Sequence, residues 1–314
     1  MPRIDPSRYR AKVKRPDDFD AFWDRLLKTV AEVPLRPQVE HVPLRSTEHV
    51  DVFAAHFDSL DDVRIFGWYS VPRDRPGPFP ALLYVPGYIS DPPLQKAWSK
   101  LGYAVLSVAP RGKIGSYDRF NPGYPGLLTH NIVDRHTYGY RGFYVDAFRG
   151  VDFLLSRAEV NREAVGVFGS SQGGGLAIVV AALHRQVAAA SAGVPYLCGI
   201  LEASELTSTY PYYEIRDYLH QYPDQRHAVE ETLAYYDGIN FAPRITCPMI
   251  VNLGLQDNVC PPETGFAVFE KIGSRDKTLH PYDQCGHDGG RIKHDPLIES
   301  FFAKQLQEKK ASTR

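Results

Sequence analysis

The chain has 314 residues, 36 Lys and Arg against 37 Asp and Glu, and a formal net charge of −1. This balance supplies no basic excess, which argues against nucleic acid or an anionic membrane as partner. At 43% hydrophobic and 23% charged residues the composition is that of a globular protein and excludes a disordered chain.

In chain order, the first residues, MPRIDP, hold no apolar run of the kind a signal peptide needs, so a cytoplasmic product is expected. Residues 17–30 (DDFDAFWDRLLKTV) place Phe19, Phe22, Trp23, Leu26, Leu27 and Val30 at three-and-four spacing, which predicts an amphipathic helix packed on the body. Between Val39 and Val71 the runs VEHVPL, VDVFAAHF and VRIFGWYSV are short and β-rich, and predict an antiparallel meander. Beyond Pro80 the pattern becomes apolar strand followed by helix. The strands are expected at 81–86, 104–109, 164–168, 187–194, 249–255 and 277–282, with helices such as 93–101, 140–155 and 174–184 between them. Alternation of this kind calls for a mostly parallel sheet covered by helices on both faces. The expected fold is therefore one α/β domain over residues 1–314, with antiparallel N-terminal strands and a helical insertion at 198–244. The longest apolar run, 176–183, is too short to span a membrane. The final residues, EKKASTR, read as a frayed tail.

The four cysteines, Cys198, Cys247, Cys260 and Cys285, form no C-x-x-C pair, so free thiols are expected. Cys285 and His287 could be drawn as two metal ligands, but no second pair of suitable spacing accompanies them, and no metal is expected. The 19 tyrosines are unusual, with five between Tyr117 and Tyr144 and eight between Tyr196 and Tyr236. These two stretches are expected around the rim of a site or at a subunit contact.

The sharpest motif is Gly169-Ser170-Ser171-Gln172-Gly173, a G-x-S-x-G that follows an apolar strand and opens a small-residue helix. That setting is the one a nucleophile elbow requires, and its glycines leave room where strand and helix meet closely. A phosphate loop would need dinucleotide spacing or a Walker lysine, and neither follows. A serine hydroxyl needs a base and an acid to act at neutral pH, and in such folds they come in the order Ser, acid, His. Asp257 follows the strand 249–255 in a polar turn at its carboxyl end. Asp276 precedes the next strand, at the opposite edge, and Asp283 stands four residues before the favoured histidine. Of the histidines beyond Asp257, His280 lies in a predicted strand and His294 in a basic stretch, whereas His287 sits in the Gly-flanked loop CGHDGG. Ser171, Asp257 and His287 are thus the candidate nucleophile, acid and base. The oxyanion donors expected by the same rule are the backbone amides of Gln172 and of Tyr88, whose PGY turn ends an early strand. The Tyr88 ring is expected to line the acyl pocket; the plainer reading is a turn tyrosine.

With these residues in hand the chain resembles the acetyl xylan esterase and cephalosporin C deacetylase family, carbohydrate esterase family seven, of the α/β-hydrolase superfamily. The resemblance runs through residues 17–27, the PGY loop, YPGLLTHNIVDRHTYGYRGFYVDAFRGVDFL (124–154), GSSQGG (169–174), YYDGINFAPRITCP (235–248) and GLQDNVCPP (254–262). It implies the same triad and oxyanion residues, no cofactor, and a homo-oligomer, commonly a hexamer, whose inward-facing sites admit small acylated substrates. Acetylated xylo-oligosaccharides and cephalosporin C are the substrates so implied. Two departures stand out. The family's Arg-Gly-Gln preceded by an Asp reads Ala109-Pro110-Arg111-Gly112-Lys113, and its His-Glu reads His287-Asp288. Arg111 is expected to be structural, since no triad role is left for it. Fold and triad do not choose the acyl group, so a serine peptidase or an amide or carbamate hydrolase is the alternative. A non-catalytic binding protein would be expected to lack triad members, and none is missing.

Overall fold

The structure is a computed structural model that describes residues 5–307. The first four residues and the expected tail at 308–314 lie outside the described residues. Nine strands form one sheet: β1 (Gln38–His41), β2 (Val50–Asp58), β3 (Arg64–Pro72), β4 (Phe79–Val85), β5 (Ala104–Ala109), β6 (Val160–Ser170), β7 (Val187–Gly193), β8 (Met249–Gly254) and β9 (Lys277–Tyr282). Their order is β1-β2-β3-β5-β4-β6-β7-β8-β9. The pairings among β1, β2, β3 and β5 are antiparallel, and every pairing from β5 through β4 to β9 is parallel. The expected mostly parallel sheet with an antiparallel N-terminal edge is present.

Its centre is dry because its strands carry apolar residues on both faces. All six residues of β5 (AVLSVA) and all six of β8 (MIVNLG) are buried. Helix α1 (Phe19–Glu32) buries the predicted stripe Phe19, Phe22, Trp23, Leu26 and Val30, and Trp23 Nε1 donates to the Tyr235 carbonyl at 2.9 Å. The next helix, α2 (Lys96–Lys100), is shorter than its sequence suggests. Residues 91–95 stay outside it, and the Asp91 carboxylate accepts the Ile114 amide instead. After α3 (Gly139–Leu155), strand β6 begins four residues before its apolar run, since Asn161–Glu163 is polar and carried no strand signal. Helix α4 (Gln172–Leu183) is buried along its whole length, which explains its apolar residues on every side.

Between β7 and β8 the chain forms α5 (Ile200–Leu206), α6 (Tyr213–Gln221), α7 (Arg226–Ala234) and α8 (Gly238–Phe241), the helices expected within 198–244. Helices α9 (Pro262–Lys271) and α10 (Arg291–Phe302) complete the alternation. The tyrosine stretches differ from the expectation of a rim. Tyr138, Tyr140, Tyr144, Tyr196, Tyr212 and Tyr236 are fully buried, and only members such as Tyr117, Tyr124, Tyr210 and Tyr222 reach the surface. The buried phenols fill space as aromatics and satisfy loop backbone at the same time: Tyr138 donates to the Leu128 carbonyl at 2.8 Å and Tyr144 to the Tyr236 carbonyl at 2.7 Å. The four cysteines are unpaired. Among the described residues no helix is long and apolar enough to cross a membrane.

Candidate active site

Strand β6 ends at Ser170 and α4 begins at Gln172, so Ser171 alone makes the turn. Its backbone lies at φ 60°, ψ −123°, a conformation costly for a residue with a Cβ. Close packing enforces the turn. A Cβ on Gly169 would stand 2.6 Å from the Val85 carbonyl oxygen, and one on Gly173 only 2.2 Å from it. The Ser171 amide donates to the Gly193 carbonyl at 2.9 Å, while its own carbonyl accepts from Tyr196 at 3.0 Å and Gly175 at 3.1 Å. The strain is thus held by contacts on three sides.

Asp257 and His287 converge on this serine. One carboxylate oxygen of Asp257, Oδ1, accepts the amides of Val259 (2.8 Å) and Cys260 (2.9 Å), which orients the side chain. The other, Oδ2, lies 2.8 Å from His287 Nδ1, and His287 Nε2 lies 3.0 Å from Ser171 Oγ. The Asp257 side chain is 1% exposed and that of His287 34%, so the carboxylate is shielded from water while the imidazole reaches the surface. The histidine loop is itself held. Asp288 accepts the amides of Gly286 (3.1 Å) and Gly290 (3.2 Å), and Asn252 on β8 donates to the Gly289 carbonyl at 2.7 Å. Asp288, noted in the sequence as a departure, therefore shapes the loop.

The competing residues lie elsewhere. Asp276 accepts from Gln305 at 3.2 Å, and Asp283 accepts the neighbouring Gln284 amide at 3.0 Å. The ring of His280 packs on that of His294, which is buried, bonded to the Tyr282 hydroxyl at 3.0 Å, and pushed down to a pKa of about 4 by burial. The thiol of Cys260 comes close to the Asp257–His287 pair: ligand atoms of Asp257, Cys260 and His287 lie within 4.8 Å of one another. Burial pushes this thiol far above its ordinary pKa, so it stands beside them as a neutral thiol. Cys285 is not part of that group.

The amides of Gln172 and Tyr88 have no hydrogen-bond partner among the described residues. Gln172 is the first residue of α4, where an amide has no partner within the helix. Its buried side chain reaches the turn that holds Tyr88: Nε2 donates to the Gly87 carbonyl at 3.2 Å, in the peptide that carries the Tyr88 N–H, and Oε1 accepts the Tyr140 hydroxyl at 2.8 Å. The Tyr88 carbonyl accepts Lys113 Nζ at 2.7 Å. The Tyr88 hydroxyl donates to Glu214 Oε1 on α6 at 2.8 Å and accepts the Leu128 amide at 3.0 Å. Its ring packs against Tyr124 and Tyr196, with centroids 5.1 and 5.9 Å away. The phenol is therefore already engaged by the fold. Burial raises the Glu214 carboxyl above its ordinary range.

Arg111 is structural, as expected. Its Nε lies 2.8 Å from Asp146 Oδ2, its amide donates to the same oxygen at 2.9 Å, and both side chains are buried. Lys113, Tyr140, Glu214, Asn252 and Asp288 were not singled out as site residues. Only Lys113 and Asp288 had a signal in the sequence, as departures from the pattern.

Residues 1–304 match the acetyl xylan esterase (AXE1) family model. Acetyl esterase Axe7A of Xylanibacter ruminicola is 30% identical over 292 residues, which cover 87% of this chain and 64% of that protein. The chain thus spans just under two thirds of that curated relative. Two solved structures are similar over nearly the full length of both chains. The acetyl xylan esterase from Paenibacillus sp. R4 has a TM-score of 0.90 at 32% identity, covering 98% of this chain and 100% of its own. Acetyl xylan esterase 1 from Thermoanaerobacterium sp. JW/SL YS485 has a TM-score of 0.89 at 26% identity, covering 98% and 99%. The sheet order and these neighbours establish the α/β-hydrolase fold. A family model matched almost from end to end leaves one assignment: the chain belongs to the acetyl xylan esterase family of carboxylic-ester hydrolases.

Proposed function

We propose that this protein is a serine esterase that removes acetyl groups from small esters. The observation that carries the reading is the unbroken line from Asp257 Oδ2 through His287 Nδ1 and Nε2 to Ser171 Oγ, with contacts of 2.8 and 3.0 Å. In the first step Ser171 Oγ attacks the ester carbonyl carbon as His287 Nε2 takes the hydroxyl proton. The carbonyl oxygen becomes an oxyanion facing the amides of Tyr88 and Gln172. Collapse expels the alcohol, which receives the proton from His287, and leaves an acetyl ester on Ser171. Water then attacks that ester with His287 again as base, and acetate departs as Oγ regains its proton. Asp257 holds the imidazole with its proton on Nδ1 throughout.

Acetylated xylo-oligosaccharides and cephalosporin C are the substrates this reading names. The acetylated xylo-oligosaccharides are supported by the acetyl esterase and acetyl xylan esterases to which the chain is similar, and cephalosporin C by the sequence resemblance alone. A homo-oligomer, hexameric by that resemblance, and a cytoplasmic location belong to the same proposal. Four unpaired thiols are in keeping with a reducing compartment.

The test is a panel of acetylated sugars, cephalosporin C, acyl esters of rising chain length and an aminopeptide, run on wild type and Ser171→Ala. Acetate release by the wild type alone supports the reading. Cleavage of the aminopeptide in preference to the acetates would favour a peptidase, and turnover of nothing would point to a binding protein. Light scattering of the purified chain reads the oligomeric state.

A further inference from the structure

Lys113 carries more than packing. It lies in the loop after β5, and only 7% of its surface is exposed. Its ammonium donates to the Tyr88 carbonyl, and no carboxylate lies within ion-pair distance of it among the described residues. A buried charge with no counter-ion is costly, and a neutral donor would suffice to give one carbonyl a partner. The surrounding charges do not relieve it. Asp91 is the acid that acts on it, but its Oδ1 is occupied by the Ile114 amide. Arg111, two residues back, turns into Asp146 and Asp61. Glu214 meets Tyr88 at the phenol end, away from the carbonyl, and the His287–Asp257 pair sits with Ser171. Burial accordingly pulls the Lys113 pKa down to about 8.

We propose that Lys113 is a positioning residue of the oxyanion hole, whose ammonium pins the Tyr88 peptide and whose charge favours the negative oxygen that forms beside the Tyr88 amide. The proposal rests on the esterase reading above. A charge-assisted bond to a carbonyl is shorter and stronger than a neutral one, so the protonated lysine fixes the turn more firmly than the amine. A positive charge in a water-poor site also acts on a developing oxyanion with little screening. Two tethers then hold successive peptides of one turn. Gln172 holds the peptide of Gly87 and Tyr88, and Lys113 holds the next. Loss of the Lys113 proton loosens the second tether and removes the charge, so activity falls on the alkaline side.

The experiment is kcat and KM for p-nitrophenyl acetate from acid to alkaline pH on wild type, Lys113→Gln, Lys113→Met and Lys113→Arg, with circular dichroism of each. Removal of an oxyanion donor itself costs ~10²–10³ in kcat, so loss of a charge acting through one is expected to cost about tenfold. Wild-type kcat should fall by that factor as pH rises through about 8, where the buried Lys113 loses its proton. Lys113→Gln, which keeps a donor but no charge, should start about tenfold lower at neutral pH with an unchanged KM and show no such fall. Lys113→Met should be lower still. Lys113→Arg keeps its charge at every pH used and should carry the alkaline limb beyond the range measured. A Lys113→Gln profile parallel to that of the wild type, an Arg variant with the same alkaline fall, or an effect confined to KM would overturn the proposal. A wild type that hydrolyses no ester at any pH would overturn the esterase reading, and this inference with it.

Discussion

Changing Asp257 to Asn is the most informative conservative perturbation of the site. Oδ1 of Asp257 is committed to the amides of Val259 and Cys260, at 2.8 and 2.9 Å, and Oδ2 faces His287 Nδ1. An asparagine must leave its carbonyl oxygen on the two amides. Turning the NH₂ onto them would oppose donor to donor and cost ~1–3 kcal/mol for each group left unmet. The NH₂ therefore points at Nδ1, which must become an acceptor, and the imidazole proton moves to Nε2. Nε2 is the atom that has to take the proton of Ser171 Oγ, 3.0 Å away. The base is present in the wrong tautomer. In the general serine-triad template this change costs ~10⁴ in kcat, equal to roughly 5 kcal/mol of barrier. Steady-state hydrolysis of a chromogenic acetate should show a loss of that order, with KM little altered. Thermal unfolding should stay within a few degrees of the wild type, because the shape and both amide bonds survive. A variant within tenfold of wild-type kcat would refute the tautomer argument.

Three further predictions follow from contacts outside the triad. Asp146→Ala strips the buried Arg111 of its carboxylate, only partly replaced by Asp61 at 3.2 Å, and should lower the unfolding free energy by about 3–5 kcal/mol in urea; a loss below ~1 kcal/mol contradicts the pair's role. In Gly173→Ala the new Cβ starts 2.2 Å from the Val85 carbonyl oxygen, so the end of β4 must move. That should cost roughly 1–3 kcal/mol and, since β4 leads into the oxyanion turn, at least about tenfold in kcat; unchanged kinetics would show the elbow less tightly built. The third concerns pH and stability. Lys113 titrates at about 8 when folded and 10.5 when free, so between those values the unfolded chain holds a proton that the folded chain lacks. Stability must then rise with pH across that window, by up to roughly 3 kcal/mol relative to Lys113→Gln. Denaturant titrations at both ends of the window read the difference, and parallel pH profiles for the two proteins would contradict it.

The parts legible in the sequence are those whose physics is local. Runs such as AVLSVA and MIVNLG are apolar on both faces, so they could only be central strands, and the structure buries every residue of each. GSSQGG announced its own turn, because a crowded, strained corner admits only glycine on either side of Ser171 and Gln172. Asp257 and His287 could be chosen because each follows a recognisable strand. Residues acting across the fold were not legible. Tyr88 meets Glu214 at a separation of 126 positions, and Tyr140 meets Gln172 at 32. Neither pair has a periodicity or spacing to betray it. The tyrosine excess was visible as composition, but composition does not say which ring faces inward, and the six that fill the interior fell among those expected at a rim. The polar start of β6 was missed because pairing with Phe79 on β4, not a hydrophobic pattern, places Val160 in the sheet.

The central claim is that Ser171 becomes covalently acylated with His287 as its base. Intact-protein mass spectrometry after treatment with an organophosphonate, followed by peptide mapping, tests it most directly. One adduct per chain is expected on the peptide containing Ser171, with complete loss of ester hydrolysis on labelling and no adduct on Ser171→Ala. A stoichiometric adduct at any other residue, or a Ser171→Ala variant that still turns over acetate esters at the wild-type rate, would contradict it.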